Sequence, residues 1–160
     1  MRHARSIAIA GTHFVDVTRY TGSMYVTSPA STVLSTQDVA VKVAGTTALC
    51  PSITQLGFSM PANNRLQLDA GPARSYKITC GVTAQSAGTN KTYNWYWYKN
   101  GVLLPESCAR RKQSVGADDG RLSVPCPVDL TIGDYVELWV SCINSTVSNV
   151  SAELFTAVID

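Results

Sequence analysis

The stretch from Tyr135 to Cys142 alternates without a break. Tyr135, Glu137, Trp139 and Ser141 fall on one side, and Val136, Leu138, Val140 and Cys142 on the other. A helix would scatter both sets around its axis; only a strand sorts them onto two faces. Gly133-Asp134 is a turn signal that starts the strand. The Val/Leu/Val/Cys face reads as the wall of a core. The opposite face is mixed, and a Trp on it suggests contact with another chain.

The rest of the chain repeats this pattern in shorter pieces. A first strand opens at Gly22–Val26 and is interrupted at Pro29 and Ser31. A second is expected over Gln37–Val43, with Val39, Val41 and Val43 on one face. Gly45–Gly57 reads as a surface loop around Cys50-Pro51. Phe58–Met60 leads into a turn at residues 61–64, and Arg65–Asp69 is a strand. Arg74–Ala84 is a long one, with Tyr76, Ile78, Cys80, Val82 and Ala84 sharing a face. Lys91–Lys99 follows, with Tyr93, Trp95 and Trp97 pointing one way.

Asn100-Gly101 is a hairpin turn, from which Val102–Leu104 pairs back until Pro105. Glu106–Ser114 reads as a further strand whose Arg110-Arg111-Lys112 cluster is a solvated edge. Arg121–Leu130 contains Pro125 and Pro127, so it is expected at an edge or a bulge. Val147–Ile159 closes the chain, with Val150, Ala152 and Leu154 inward and Phe155 opposite. No stretch sustains a helical period. Eight or more strands separated by turns make an all-β, antiparallel two-sheet sandwich of the jelly-roll type. A single domain of this length buries roughly 70% of its unfolded surface.

Composition removes several functions. Thirteen basic and eleven acidic residues give a net charge of +2, too balanced for nucleic-acid binding by bulk electrostatics. No apolar run is long enough to span a bilayer. Ile7–Ala10 is too short for a signal-peptide core, so export by the standard route is not expected. The five cysteines include no Cys-x-x-Cys, and the two histidines, His3 and His13, lie near the N-terminus. No metal, cofactor or catalytic residue is therefore expected. Cys80 and Cys142 sit on apolar strand faces and read as buried thiols. The acidic pair Asp118-Asp119 offers too few ligands for calcium.

Residues 1–21 do not pattern as a strand in a sheet and read as a short extended arm preceding a domain at 22–160. Arg2, Arg5 and Arg19 make the arm basic, while Ile7, Ile9 and Phe14 give it apolar contact points. A purely solvated tail has no need of these apolar residues.

The order of motifs carries a resemblance. Gly22-Ser23-Met24-Tyr25, residues 41–46 (VKVAGT), Asn63-Asn64-Arg65-Leu66, the long strand at 74–84, Tyr98-Lys99-Asn100-Gly101 and residues 133–140 (GDYVELWV) occur in that order. Residues 22–159 thus resemble the C1q/TNF-like trimeric jelly rolls of tailed-bacteriophage structural proteins. The resemblance implies ten or so strands, three copies around a threefold axis, and no catalysis. Trp95, Trp97, Tyr135 and Trp139 are then candidates for the trimer interface or the core beside it.

Two roles follow as expectations. One is a capsid decoration, or cement, protein. It would sit on the exterior of the virion head as a homotrimer, bridge copies of the major capsid protein, and assemble in the host cytoplasm. The other is a fibre-tip or baseplate module recognising a host glycan or protein. Only the short segment 1–21 precedes the jelly roll, which favours a protein seated directly on a shell. The arm residues Arg2, Arg5, Ile7, Ile9, Phe14 and Arg19 would be its anchor. Neither role calls for nucleic acid or membrane as a partner.

Overall fold

The computed structural model describes residues 19–114, 119–145 and 148–160, together with the backbone of two N-terminal strands. These two, β1 (Ser6–Ile9) and β2 (His13–Asp16), pair antiparallel as a two-stranded sheet of their own. Their pairing differs from the extended arm that the sequence implies. The apolar residues of this segment alternate too briefly to be read as strands. The side chains of Arg2, Arg5, Ile7, Ile9 and Phe14 lie outside the described residues.

The remaining strands are β3 (Gly22–Pro29), β4 (Ser31–Leu34), β5 (Val41–Lys42), β6 (Gly45–Leu49), β7 (Phe58–Ala62), β8 (Arg65–Leu68), β9 (Arg74–Ser86), β10 (Lys91–Lys99), β11 (Val102–Gln113), β12 (Gly120–Ser123), β13 (Cys126–Leu130), β14 (Tyr135–Cys142) and β15 (Ser148–Ile159). They form two antiparallel sheets facing one another. One has six strands in the order β11-β10-β14-β8-β7, with β5 also on β14. The other has seven, in the order β12-β9-β15-β3-β6, with β13 on β9 and β4 on β15. The molecule is an all-β jelly roll.

Alternation explains the core. Tyr76, Ile78, Cys80, Val82 and Ala84 of β9 face Tyr93, Trp95 and Trp97 of β10 and Val136, Leu138, Val140 and Cys142 of β14, and all are buried. Between the sheets, the Trp97 Nε1–H donates to the Val124 carbonyl at 2.8 Å. Val124 precedes Pro125, where β12 gives way to β13, so the indole satisfies a carbonyl at a break between edge strands. The Tyr93 hydroxyl is 2.6 Å from both Ser86 Oγ and Ser148 Oγ. A buried phenol thus has its partners.

Four register shifts depart from the simple pattern, one of them in β7–β8 between Ser59 and Ala62. In β15 the register against β9 shifts between Ala152 and Leu154. One extra residue reverses which side chains face in. Phe155 is therefore buried and Leu154 is 64% exposed. The expectation of Leu154 inward and Phe155 opposite is thereby corrected. In β10–β11 the register shifts between Trp95 and Trp97. There Ser107 Oγ accepts from the Trp97 backbone N–H at 2.8 Å and donates to the Leu104 carbonyl at 2.6 Å. A hydroxyl stands in for ladder bonds that Pro105 interrupts, and β11 runs through as one strand rather than two. A third shift lies in β3 between Val26 and Ser28.

Other expectations also change. Gly45–Leu49 is a strand, not a loop, and Cys50 is buried behind it. Of Gln37–Val43 only Val41–Lys42 pairs, and Val39 is exposed. Asn100 and Gly101 have φ of 50° and 77°. They are the two left-handed residues of a type I′ hairpin turn. The sandwich begins slightly before residue 22. Thr21 exchanges backbone hydrogen bonds with Leu56 at 3.0 and 2.8 Å, and Tyr20 packs on the core. Arg19 pairs with Asp160 of the C-terminal end.

Candidate interaction faces

Outside the core, the two sheets present different surfaces. On the six-stranded sheet, the outward residues of β14 and its neighbours build an ionic and aromatic cluster. Glu137 is the centre. Its side chain is 4% exposed, and its Oε1 accepts from Lys42 Nζ at 2.7 Å and from Arg65 Nε and Nη2, each at 2.8 Å. Oε2 receives a longer bond of 3.3 Å from the Trp139 indole. Burial alone would raise the Glu137 carboxyl, but Lys42 and Arg65 hold it below the usual carboxylate range.

Pairing explains why these groups meet. Lys42 lies opposite Trp139 in the β5–β14 pair, and Tyr98 lies opposite Glu137 in β10–β14. Arg65 sits at the start of β8, beside Leu66, which faces Val136. Its guanidinium carbon lies 3.9 Å from the centre of the Tyr135 ring, a cation–π contact. Tyr98 and Trp139 stack, with centroids 4.3 Å apart and planes at 18°.

Asn64 anchors this sheet from the side. At φ 53° its backbone turns between β7 and β8, and its buried side chain bridges to β14. Nδ2 donates to the Leu138 carbonyl at 2.7 Å and the Val43 carbonyl at 3.2 Å, while Oδ1 accepts from Leu138 N–H at 3.1 Å. A side-chain amide here takes the place of a missing strand.

The seven-stranded sheet shows the opposite character. Ala48, Tyr25, Thr156, Gly81 and Ser123 form one unbroken row across β6, β3, β15, β9 and β12. Leu154 and Thr83 flank the row on one side, and Val158 and Thr79 on the other. None of these nine residues is charged; the exposed Arg121 of β12, opposite Thr83, lies at their border. Gly81 stands mid-strand in β9, and a Cβ built on it would meet nothing within 4 Å. The monomer therefore has room for a side chain that is not there.

The sequence-predicted residues divide between these places. Trp95 and Trp97 belong to the core of the single chain, at 1% and 0% exposure. Tyr135 and Trp139 are half-buried on the outer face of the six-stranded sheet. Cys80 and Cys142 are buried and unpaired, and burial pushes the Cys80 thiol up to about 12. Cys108 is the exposed thiol among the five. Among the described residues, no group of three or more His, Cys, Asp and Glu is placed to hold a metal ion. Sequence reading missed Lys42, Asn64, Arg65 and Gly81. Glu137 between aromatic residues on a strand was the one signal that cations must lie nearby.

Comparison with solved structures agrees with this architecture. Murine APRIL superposes with a TM-score of 0.56 for the pH 8.5 crystal form and 0.55 for the pH 8.0 form. The identities are 9% and 10%, and each match covers 88% of this chain and 98% of the other. Eiger, a TNF from S. frugiperda, gives 0.50 at 11% identity, covering 88% of this chain and 91% of the other. The chain thus has a TNF-like jelly-roll fold. No protein-family model and no curated protein matches the sequence.

Proposed function

We propose that this chain is a structural protein of a tailed-phage virion, a homotrimer that decorates the head and bridges its major capsid subunits. The observation that carries self-association is Gly81. Glycine within a strand weakens it, and often marks close approach by another backbone. Here nothing in the same chain approaches. The row through Gly81 is uncharged, so a neighbouring copy can cover the row itself without burying an unpaired charge. The resemblance to trimeric C1q/TNF-like jelly rolls supports three copies, and the phage assignment rests on that resemblance alone.

The shell anchor in this reading is the N-terminal segment, on the strength of Arg2, Arg5, Ile7, Ile9, Phe14 and Arg19 in the sequence. Three such segments per trimer would bind by avidity. Tyr20 and Thr21 belong to the sandwich, so the informative truncation removes residues 1–18. The truncated protein should remain a folded trimer and should no longer bind phage heads in a sedimentation assay. Full occupancy on heads after truncation would place the anchor on the jelly roll instead. Copurification of the intact protein with tails rather than heads would overturn the decoration role.

A further inference from the structure

We propose that the Lys42–Arg65 cluster on the outer face of the six-stranded sheet is a binding site for a carboxylate-bearing sugar. Two cations share one carboxylate oxygen of Glu137, so the trio keeps a net charge of +1. Among the described residues, neither cation has another ionic partner. Their side chains are 30% and 31% exposed, so unused N–H groups reach solvent, while Glu137 beneath them is almost fully buried. The carboxylate thus positions two donors and leaves the outer side open to a second anion.

The surroundings favour a sugar over an extended peptide. β14 is a central strand, with β10 on one side and β5 and β8 on the other. Its main-chain groups are already paired, and no edge is offered for strand addition. Recognition must come from side chains standing up from the sheet. Those present are Tyr135 under Arg65, the Tyr98–Trp139 stack beside Lys42, and the polar Gln67 at one end. Aromatic carbon packs against the apolar face of a sugar ring, and amides and hydroxyls bond its hydroxyls. Two acidic groups border the face. Asp69 accepts from Gln67 at 3.0 Å, and Asp38 accepts from Ser141 at 3.4 Å, which leaves the centre to the two cations.

The test is an NMR titration of the full chain with sialyllactose, a glucuronic-acid disaccharide and a galacturonate disaccharide. Lactose and acetate serve as comparators. At least one acidic sugar should shift the Trp139 indole resonance and bind at least about tenfold more tightly than lactose or acetate, the equivalent of one charge-assisted contact. Lys42→Gln should abolish that difference. Glu137→Gln keeps the shape but raises the cluster to +2, so it should tighten binding about fivefold at low salt. The opposing directions of the two variants separate a binding effect from loss of fold. The proposal is overturned if none of the three acidic sugars binds, if lactose or acetate binds as tightly, or if Lys42→Gln changes nothing. Saturable binding of an acidic peptide with no sugar binding would likewise overturn it and make the face a protein contact.

Discussion

The two sheets bury their inner faces alike and differ on the outside. Around Glu137, every strong charge in the centre has a partner within the chain. Around Gly81, the cross-strand partners Thr156 and Ser123 are uncharged, and no side chain covers the backbone. The first face fixes its charges within the folded monomer and leaves part of each cation toward solvent. The second leaves a gap that a monomer does not require, since a strand surface facing only water gains nothing from a central glycine. The ionic cluster thus holds its charges in place within the chain and keeps its remaining N–H groups toward solvent, while the bare strand surface marks a place for a second copy.

Substitution on each face tests this contrast, most strongly at Gly81→Lys. The monomer accommodates the new side chain, since nothing lies within 4 Å of its first carbon. In an assembly, that lysine would be buried unpaired against a neighbour, a cost of several kcal/mol. Light scattering should show the mass fall from three times 17.2 kDa to 17.2 kDa, with an unchanged circular dichroism spectrum. Trp139→Gln on the other sheet should leave the trimer intact. If Gly81→Lys stays trimeric and Trp139→Gln dissociates, the roles of the two faces are exchanged.

Next in size is Asn64→Ala. It removes three hydrogen bonds to Val43 and Leu138 and leaves the buried Leu138 N–H without its acceptor. A loss of about 3 kcal/mol in urea denaturation is expected. Part of that is backbone strain, since alanine poorly tolerates the left-handed backbone that Asn64 adopts. Asn64→Gly relieves the strain but restores no bond, so it should be less destabilising than alanine by about 1 kcal/mol. Equal losses would show that the amide bridge carries the whole effect.

What sequence could tell follows the same division between inside and outside. The period of two in β9, β10 and β14 is imposed by the core, so their inward residues were legible from alternation alone. The bulge in β15 was not. It inserts a residue without any Gly or Pro to announce it, and every side chain beyond it changes face. Strand β6 hid for a different reason. Gly45–Leu49 is poor in large apolar residues, and its place comes from pairing with β3 rather than from its own pattern. The outer faces were the least legible. Lys42 and Arg65 lie 95 and 72 residues from Glu137, and only the strand order brings them together. Alternation puts Gly81 on the outward face of β9, but what surrounds it there depends on the strand order.

A smaller effect separates the charge of Glu137 from its shape. Its carboxyl is held below the usual range in the folded chain. A Glu in the unfolded chain titrates near about 4.3. The unfolded state therefore takes up the proton first as pH falls. The stabilisation is fully present above the unfolded value and is lost as pH drops through the lower folded one. Asp134 behaves in the same sense. Burial alone would raise its carboxyl, but the Thr131 N–H, Asn100, Lys99 and the Thr131 hydroxyl hold it low. Glu137→Gln cannot titrate, so its stability should fall less steeply between about pH 5 and pH 2 than that of the wild type. Parallel acid limbs in the two proteins would mean that the carboxylate charge contributes nothing beyond the hydrogen bonds a glutamine can also make.

The smallest effect tests the inner faces that the two sheets share. The thiols of Cys80 and Cys126 are buried, and burial pushes them up to about 12 and about 11; Glu106 adds to the rise at Cys126. Since the thiolate is the nucleophile, both should be slow with a maleimide at neutral pH. Cys108 lies on the outer face of β11 and is exposed, so it should react first. Mass spectrometry of the native protein should find a single rapid adduct, mapped to Cys108 and absent in Cys108→Ser. The buried thiols should label only at the rate at which the sandwich opens, and labelling should accelerate in urea together with unfolding. Cys126 is the more sensitive probe because its strand, β13, lies at a sheet edge, whereas Cys80 is on β9 between β15 and the edge strands. If Cys126 labels well before Cys80 in the native state, the β13 edge opens on its own. If Cys80 labels as fast as Cys108, the core is not closed as described, and the contrast between a sealed interior and two differing exteriors fails with it.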